Sequence, residues 1–197
     1  MPELTGTSFK QWVSPVLAIP VALGAALGPL GGWLWWTWWG PAPDGKIYDT
    51  RVGAKWYPDP FDPGVARDFS GTATYVVVGV GLALLLGVVT AVLCRRTAVA
   101  GLVAVVVGAS VGAALMVLVG TSFSPPDPAT LVASHEVGDA LPGHLHVAGW
   151  SPYLIWPVGA LLGYFVVMVS ILSPSQARAA VSSETTESAR PPSPAAT

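Results

Sequence analysis

The sequence predicts an all-α membrane fold: a four-helix transmembrane bundle with two extracytoplasmic loops and a disordered C-terminal tail. Three observations predict it. The 197 residues are 52% hydrophobic and only 10% charged, whereas a soluble domain carries about 25% charged residues. The apolar residues gather into four runs, near 15–39, 72–94, 98–120 and 152–172. Each is long enough to cross a hydrocarbon layer roughly 30 Å thick. None of the four has Asp, Glu, Lys, Arg or His in its interior, as the cost of a charge in hydrocarbon requires.

Residues 1–14 read as a short cytoplasmic tail with one cation, Lys10, and Trp12. The first run follows without charge and closes on five tryptophans, Trp33, Trp35, Trp36, Trp38 and Trp39. An indole has an apolar body and one N–H donor, so it settles where hydrocarbon meets headgroup. These five, with Trp150 ahead of the last run and Trp156 at its opening, are read as interfacial aromatics. The run is too long for a signal-peptide core and ends without a small-residue cleavage site, so it is read as an uncleaved helix. Gly24, Gly28 and Gly32 recur every four residues and so share one helical face, where another backbone can come close. Pro20 and Pro29 lie inside the run and invite kinks that neighbouring helices must accommodate.

Residues 40–71 form a polar loop in which four cations are mixed with five aspartates. Asp44-Gly45 has turn chemistry. Lys46-Ile47-Tyr48 and Lys55-Trp56-Tyr57 can pair as a short hairpin. Residues 59–64 are a proline-stiffened bend, and Asp68 stands just before the second run, where an acid suits a helix start.

The second and third runs are joined by Arg95-Arg96-Thr97. A turn that short makes them antiparallel neighbours. Gly108 and Gly112 repeat the small-residue spacing in the third run, and Gly159 and Gly163 repeat it in the fourth. Between these runs, residues 121–151 hold all three histidines and no lysine or arginine. Residues 173–197 are rich in Ser, Thr, Pro and Ala and cannot bury a core.

Four spans put both termini on one side. With the termini inside, five Lys and Arg face the cytoplasm and four face out. Two of the five occupy a three-residue turn, and short loops follow the positive-inside bias best. The expected location is the cell membrane with both termini cytoplasmic.

Several functions are disfavoured. No long basic run exists to bind nucleic acid. Proton- or ion-coupled transport usually needs ionisable groups at membrane depth, and the runs offer only hydroxyls. The lone Cys94 excludes both a disulfide framework and a CxxC pair. The glycine-rich pieces lie in apolar runs and serve packing, not phosphate binding. No catalytic residue and no cofactor is expected. The one metal-like spacing is His135-Glu136-Val137-Gly138-Asp139, which resembles a HExxH motif with Asp as second ligand. His144 or His146 could complete such a site, although Gly138, Pro142 and Gly143 oppose the helix it needs.

The order of features resembles a family of actinobacterial four-span membrane proteins that carry a domain of unknown function. The likeness rests on the aromatic end of the first run, Asp44-Gly45, Asp68, the Arg95-Arg96 turn and the opening Trp150-Ser151-Pro152-Tyr153-Leu154-Ile155-Trp156-Pro157 with Gly159-Ala160. It covers roughly residues 15–172. Asp68-Phe69-Ser70-Gly71 departs from a tighter Asp-Gly in the family pattern, and the histidine-rich stretch is not a family hallmark. The resemblance implies the topology and brings no activity.

The expected function is that of a non-enzymatic accessory or scaffold element of a bacterial envelope complex, with membrane lipid and a membrane protein as partners. Two alternatives stand beside it: lipid or glycolipid headgroup binding by the tryptophan rim, and a metal-dependent enzyme built on the second loop.

Overall fold

The computed structural model describes residues 15–59 and 66–170. The expected N-terminal tail, the bend at residues 60–64, the last two residues of the fourth run and the C-terminal tail lie outside the described residues. The chain is mostly helical. Helix α1 runs Pro15–Trp39, α2 Ala66–Leu93 and α3 Ala98–Ser122. The fourth span covers Ser151–Ser170, a 3-10 turn Ser151–Leu154 leading into helix α5 over residues 155–170. All four are long and apolar enough to cross a membrane. Helix α2 starts at Ala66, six residues before the expected 72.

Packing follows the small residues. Gly24 of α1 meets the carbonyl of Gly108 in α3, Gly28 meets Gly112, and Gly32 meets Met116 and Gly120. The numbers rise together, so α1 and α3 run parallel with backbones in close approach. Any side chain at Gly24 would occupy the space of the Gly108 carbonyl. Helices α2 and α5 repeat the device. Gly79 lies on Trp156, Ala83 on Gly159 and Gly87 on Ala160 and Tyr164, again in rising order, and Gly163 meets the Leu84 carbonyl. In lipid no hydrophobic drive pulls helices together, so close van der Waals fit has to supply the association. Large apolar side chains such as Leu85, Val107, Leu118, Leu162 and Val166 stay exposed on the outside, where hydrocarbon would cover them.

Two of the tryptophans are enclosed by protein. Trp35 and Trp156 are fully buried. The Trp35 indole N–H donates to the Gly71 carbonyl at 2.7 Å, and its ring lies against Gly120. The Trp156 ring fills the space over Gly112 and Gly79, and its N–H points at the Met116 sulfur, 3.3 Å away. So some of the glycines predicted to seat backbones seat indoles as well. Trp33, Trp38 and Trp150 are exposed, while Trp36 and Trp39 are half-buried.

Three hydroxyls inside the spans are turned back on their own helices: Thr90 to the Leu86 carbonyl, Ser110 to Val106, Ser170 to Val166. The Tyr164 hydroxyl instead donates across helices to the Ala98 carbonyl at 2.6 Å. Among the described residues, Tyr75 carries the one buried side-chain oxygen without a hydrogen-bond partner. Its ring meets Trp35 edge-on at 5.2 Å.

The two large loops are not separate. The first holds the hairpin β1 (Asp44–Thr50) and β2 (Gly53–Pro58). Lys46 pairs with Tyr57, Ile47 with Trp56 and Tyr48 with Lys55, the pairing expected from the sequence. Asp44-Gly45 opens β1 instead of forming a turn, and the reversal falls at Arg51-Val52. Gly53 takes φ +103 there, a conformation that glycine adopts at little cost. The second loop supplies an unexpected third strand, β3 (Ala140–Pro142), antiparallel to β1. The sheet order is β2-β1-β3. A fold read as all-α with one short hairpin therefore carries a three-stranded cap, built from both loops at one end of the bundle. The Arg95-Arg96 turn lies at the other end.

Candidate functional site

The cap exists because alternate residues of the hairpin are apolar. Ile47 and Trp56 share one face, and Ile47 is buried. The opposite face carries Lys46, Tyr48, Lys55 and Tyr57, with Tyr48 and Tyr57 in edge contact at 6.2 Å. The Trp56 ring lies against Gly45 and beside Gly143, and its N–H donates to the Leu141 carbonyl at 2.9 Å. One indole thus links all three strands. Lys46 and Asp59 form an ion pair at 2.6 Å. Their hydrogen bond, followed by the charge attraction, raises the Lys46 pKa above its ordinary value.

The second loop ties the cap to the helices. The Leu145 side chain is buried in the bundle's core cluster. Its backbone N–H donates to Ser124 Oγ at 2.6 Å, and the Ala148 N–H donates to Thr72 Oγ1 at 2.9 Å. The short helix α4, Pro128–Leu131, is capped by Asp127, whose carboxylate accepts from the Ala129 N–H. A 3-10 turn, Val132–Ser134, follows it.

Between β2 and this capped turn lies an open cleft of about 870 Å³. One wall is Ala54-Lys55-Trp56-Tyr57-Pro58, the other Asp127, Pro128, Ala129, Val132 and Ala133, with His144 and His146 between. A smaller void of about 40 Å³ shares Trp56, Pro58, His144 and His146 and reaches Trp39 and Gly71 at the head of α1 and α2. The larger volume falls in the range of small-molecule and headgroup pockets, roughly 300–1,000 Å³.

The residues of the metal-like spacing, His135, Asp139, His144 and His146, do not converge. His135 follows the 3-10 turn in extended backbone, and its Nδ1 is bonded to the Leu131 carbonyl at 2.9 Å. The Asp139 carboxylate accepts from the Glu136 N–H. Gly138 has φ +102, so no helix places His135 and Asp139 one turn apart. His144 and His146 stack with centroids 4.6 Å apart and planes at 20°. Nitrogen lone pairs lie in the ring planes, so stacked rings do not aim them at a common ion. His144 Nδ1 faces Asp127 instead, at 3.5 Å. Among the described residues no three His, Cys, Asp or Glu side chains meet in a metal-holding group.

Cys94 is buried at the arginine-turn end of the bundle, close to Gly101.

Sequence reading named Lys55 and Tyr57 only as hairpin residues and missed Asp127 and Val132. A cleft between two loops is invisible until their pairing is known. No protein-family model, curated protein or solved structure matches this chain.

Proposed function

We propose that this chain is a non-enzymatic integral membrane protein that acts by presenting its strand cap to a partner, as an accessory or scaffold element of a bacterial envelope complex. One observation carries the reading. Two loops far apart in sequence are built into a single sheet with an open cleft, anchored on a bundle whose four spans hold no Asp, Glu, Lys, Arg or His. Such a bundle positions what stands on it. The arginine turn is assigned to the cytoplasm by the positive-inside bias, which puts the termini inside and the cap outside. Kinship with the actinobacterial four-span family belongs to the same proposal and rests on the arginine turn and the Trp150–Pro157 opening.

The test is twofold. Affinity purification of the full chain in mild detergent is expected to retain a stoichiometric membrane-protein partner. Proteoliposomes of the chain alone are expected to show no solute or ion flux beyond protein-free vesicles. Flux or turnover by the isolated chain contradicts the reading.

A second reading, headgroup binding at the aromatic rim, is favoured by the exposure of Trp33, Trp38 and Trp150. Trp38 also lines a crevice between α1 and α2, with Leu34, Thr37 and Gly81. Replacing Trp33 and Trp38 by Leu removes co-purified lipid on this reading and leaves membrane insertion intact. Trp35 is unsuited to such a test because it is core.

A further inference from the structure

The wall of the cleft formed by β2 consists of five consecutive residues, Ala54 to Pro58. Successive side chains of a strand point to opposite faces. A cleft that touches both parities therefore faces the strand's edge. Strand β2 is an edge strand, since the order is β2-β1-β3.

The register says which backbone groups look into the cleft. The Ile47 N–H donates to the Asp139 carbonyl at 3.1 Å, and the Ile47 carbonyl accepts from the Gly138 N–H at 2.8 Å. Both Ile47 groups thus point away from β2. Its cross-strand partner is Trp56, so Ile47 and Trp56 are a non-hydrogen-bonded pair. It follows that the N–H and C=O of Trp56, and by the two-residue period those of Ala54, point off the sheet. Among the described residues neither Ala54 nor Trp56 has a backbone bond on that side. Pro58 shares this parity, and proline belongs where a strand's N–H would face outward.

We propose that the free edge of β2 is a docking site for an extended segment of a partner protein, which adds a fourth strand through backbone hydrogen bonds to Ala54 and Trp56. This rests on the accessory reading and names how the partner is held. A row of amides at two-residue spacing, turned into a cleft of about 870 Å³, is complementary to another extended backbone. A sugar or a lipid tail does not present that row. The side-chain chemistry follows from the two faces. On one face the added strand meets Lys55, which is exposed and has no ion pair among the described residues. On the other it meets Trp56, with Val132 across the cleft. The matching segment alternates acidic and apolar residues.

The probe is a synthetic peptide of about eight residues, within the usual strand length, alternating glutamate and valine. Its binding to the full chain in nanodiscs is read by fluorescence anisotropy. Saturable binding is expected. N-methylating alternate amides of the peptide should weaken it about tenfold, the scale of a lost backbone hydrogen bond. Ala54→Pro should do the same, because it removes only an outward N–H, and its unfolding midpoint should stay at the wild-type value. Lys55→Glu should shift the preference to a valine–lysine peptide. No saturable binding, or equal binding by the N-methylated peptide, overturns the proposal. So does undiminished binding by a folded Ala54→Pro chain. A native partner that co-purifies equally with wild type and Ala54→Pro overturns the edge while leaving the accessory reading standing. Solute flux by the isolated chain overturns that reading on its own terms.

Discussion

A buried polar atom in this bundle has to find its partner within a few ångströms, and three aromatic residues show the consequences. Trp35 finds the Gly71 carbonyl at 2.7 Å. Replacing Trp35 by Phe removes that bond and part of the ring that fills the space over Gly120. The expected cost is about 2 kcal/mol, read as a lower unfolding midpoint in a denaturing-detergent titration. Trp33 is half exposed at 51%, and the same change there is expected to stay within about 0.5 kcal/mol. Tyr75 is the opposite case, fully buried with its hydroxyl unpaired among the described residues. Tyr75→Phe discards an unsatisfied group and keeps the ring on Trp35. It should be neutral or stabilising by about 1 kcal/mol. A clear destabilisation would mean that the hydroxyl has a partner after all. The tryptophans also mark where sequence reading stops. Their abundance near the ends of apolar runs indicates a membrane boundary, but which indole turns inward depends on the helix opposite. Trp35 and Trp156 turn inward because Gly120 and Gly112 leave room for them.

At the scale of elements, glycines of the same type have opposite roles. Gly24 abuts the backbone of Gly108, which cannot yield, while Gly81 has open space around it. Gly24→Ala is expected to cost about 1–3 kcal/mol. Gly81→Ala should cost nothing measurable in the same detergent titration. Four-residue spacing made the packing faces of α1, α3 and α5 legible in advance. The hairpin was legible for a related reason, since its period of two sets Ile47 and Trp56 on one face. Strand β3 was not. Ala140-Leu141-Pro142 is too short for a periodic signal, and its pairing with β1 spans nearly a hundred positions. The metal-like spacing misled because spacing implies geometry only on a regular helix, and Gly138 at φ +102 breaks it. The hairpin also has a pH dependence of known sign. Lys46 is charged in the pair with Asp59, and its pKa is raised on folding. The pair's contribution is therefore complete below the unfolded lysine pKa and is lost as pH rises through the higher folded value. Strand pairing followed by amide exchange or Trp56 fluorescence should loosen in that alkaline window. Lys46→Met should remove the dependence.

At the scale of the whole molecule, four apolar helices hold one composite cap. Length, composition and the missing intramembrane charge made the spans readable, because the bilayer imposes a simple rule on both. The whole cap was hidden because its third strand comes from the second loop, which alone reads as polar connection. The orientation proposed here predicts that a cysteine at Arg96 in a Cys94→Ala background reacts with an impermeant maleimide only from the cytoplasmic side. Cysteines at Tyr48 and His135 should react only from outside.

The union of the two loops into one cap is the claim on which the cleft, the docking edge and the accessory role depend. Its most direct test is a disulfide across β1 and β3. Lys46 and Ala140 face each other in the register, at the side-chain separation of paired strands, which a disulfide can span. A Lys46→Cys/Ala140→Cys chain lacking Cys94, oxidised in native membranes, is expected to form an intrachain crosslink nearly completely. A control pair shifted by two residues on one strand should crosslink far less. Absence of the crosslink at 46 and 140, or labelling of the two positions from opposite sides of the membrane, would contradict the account.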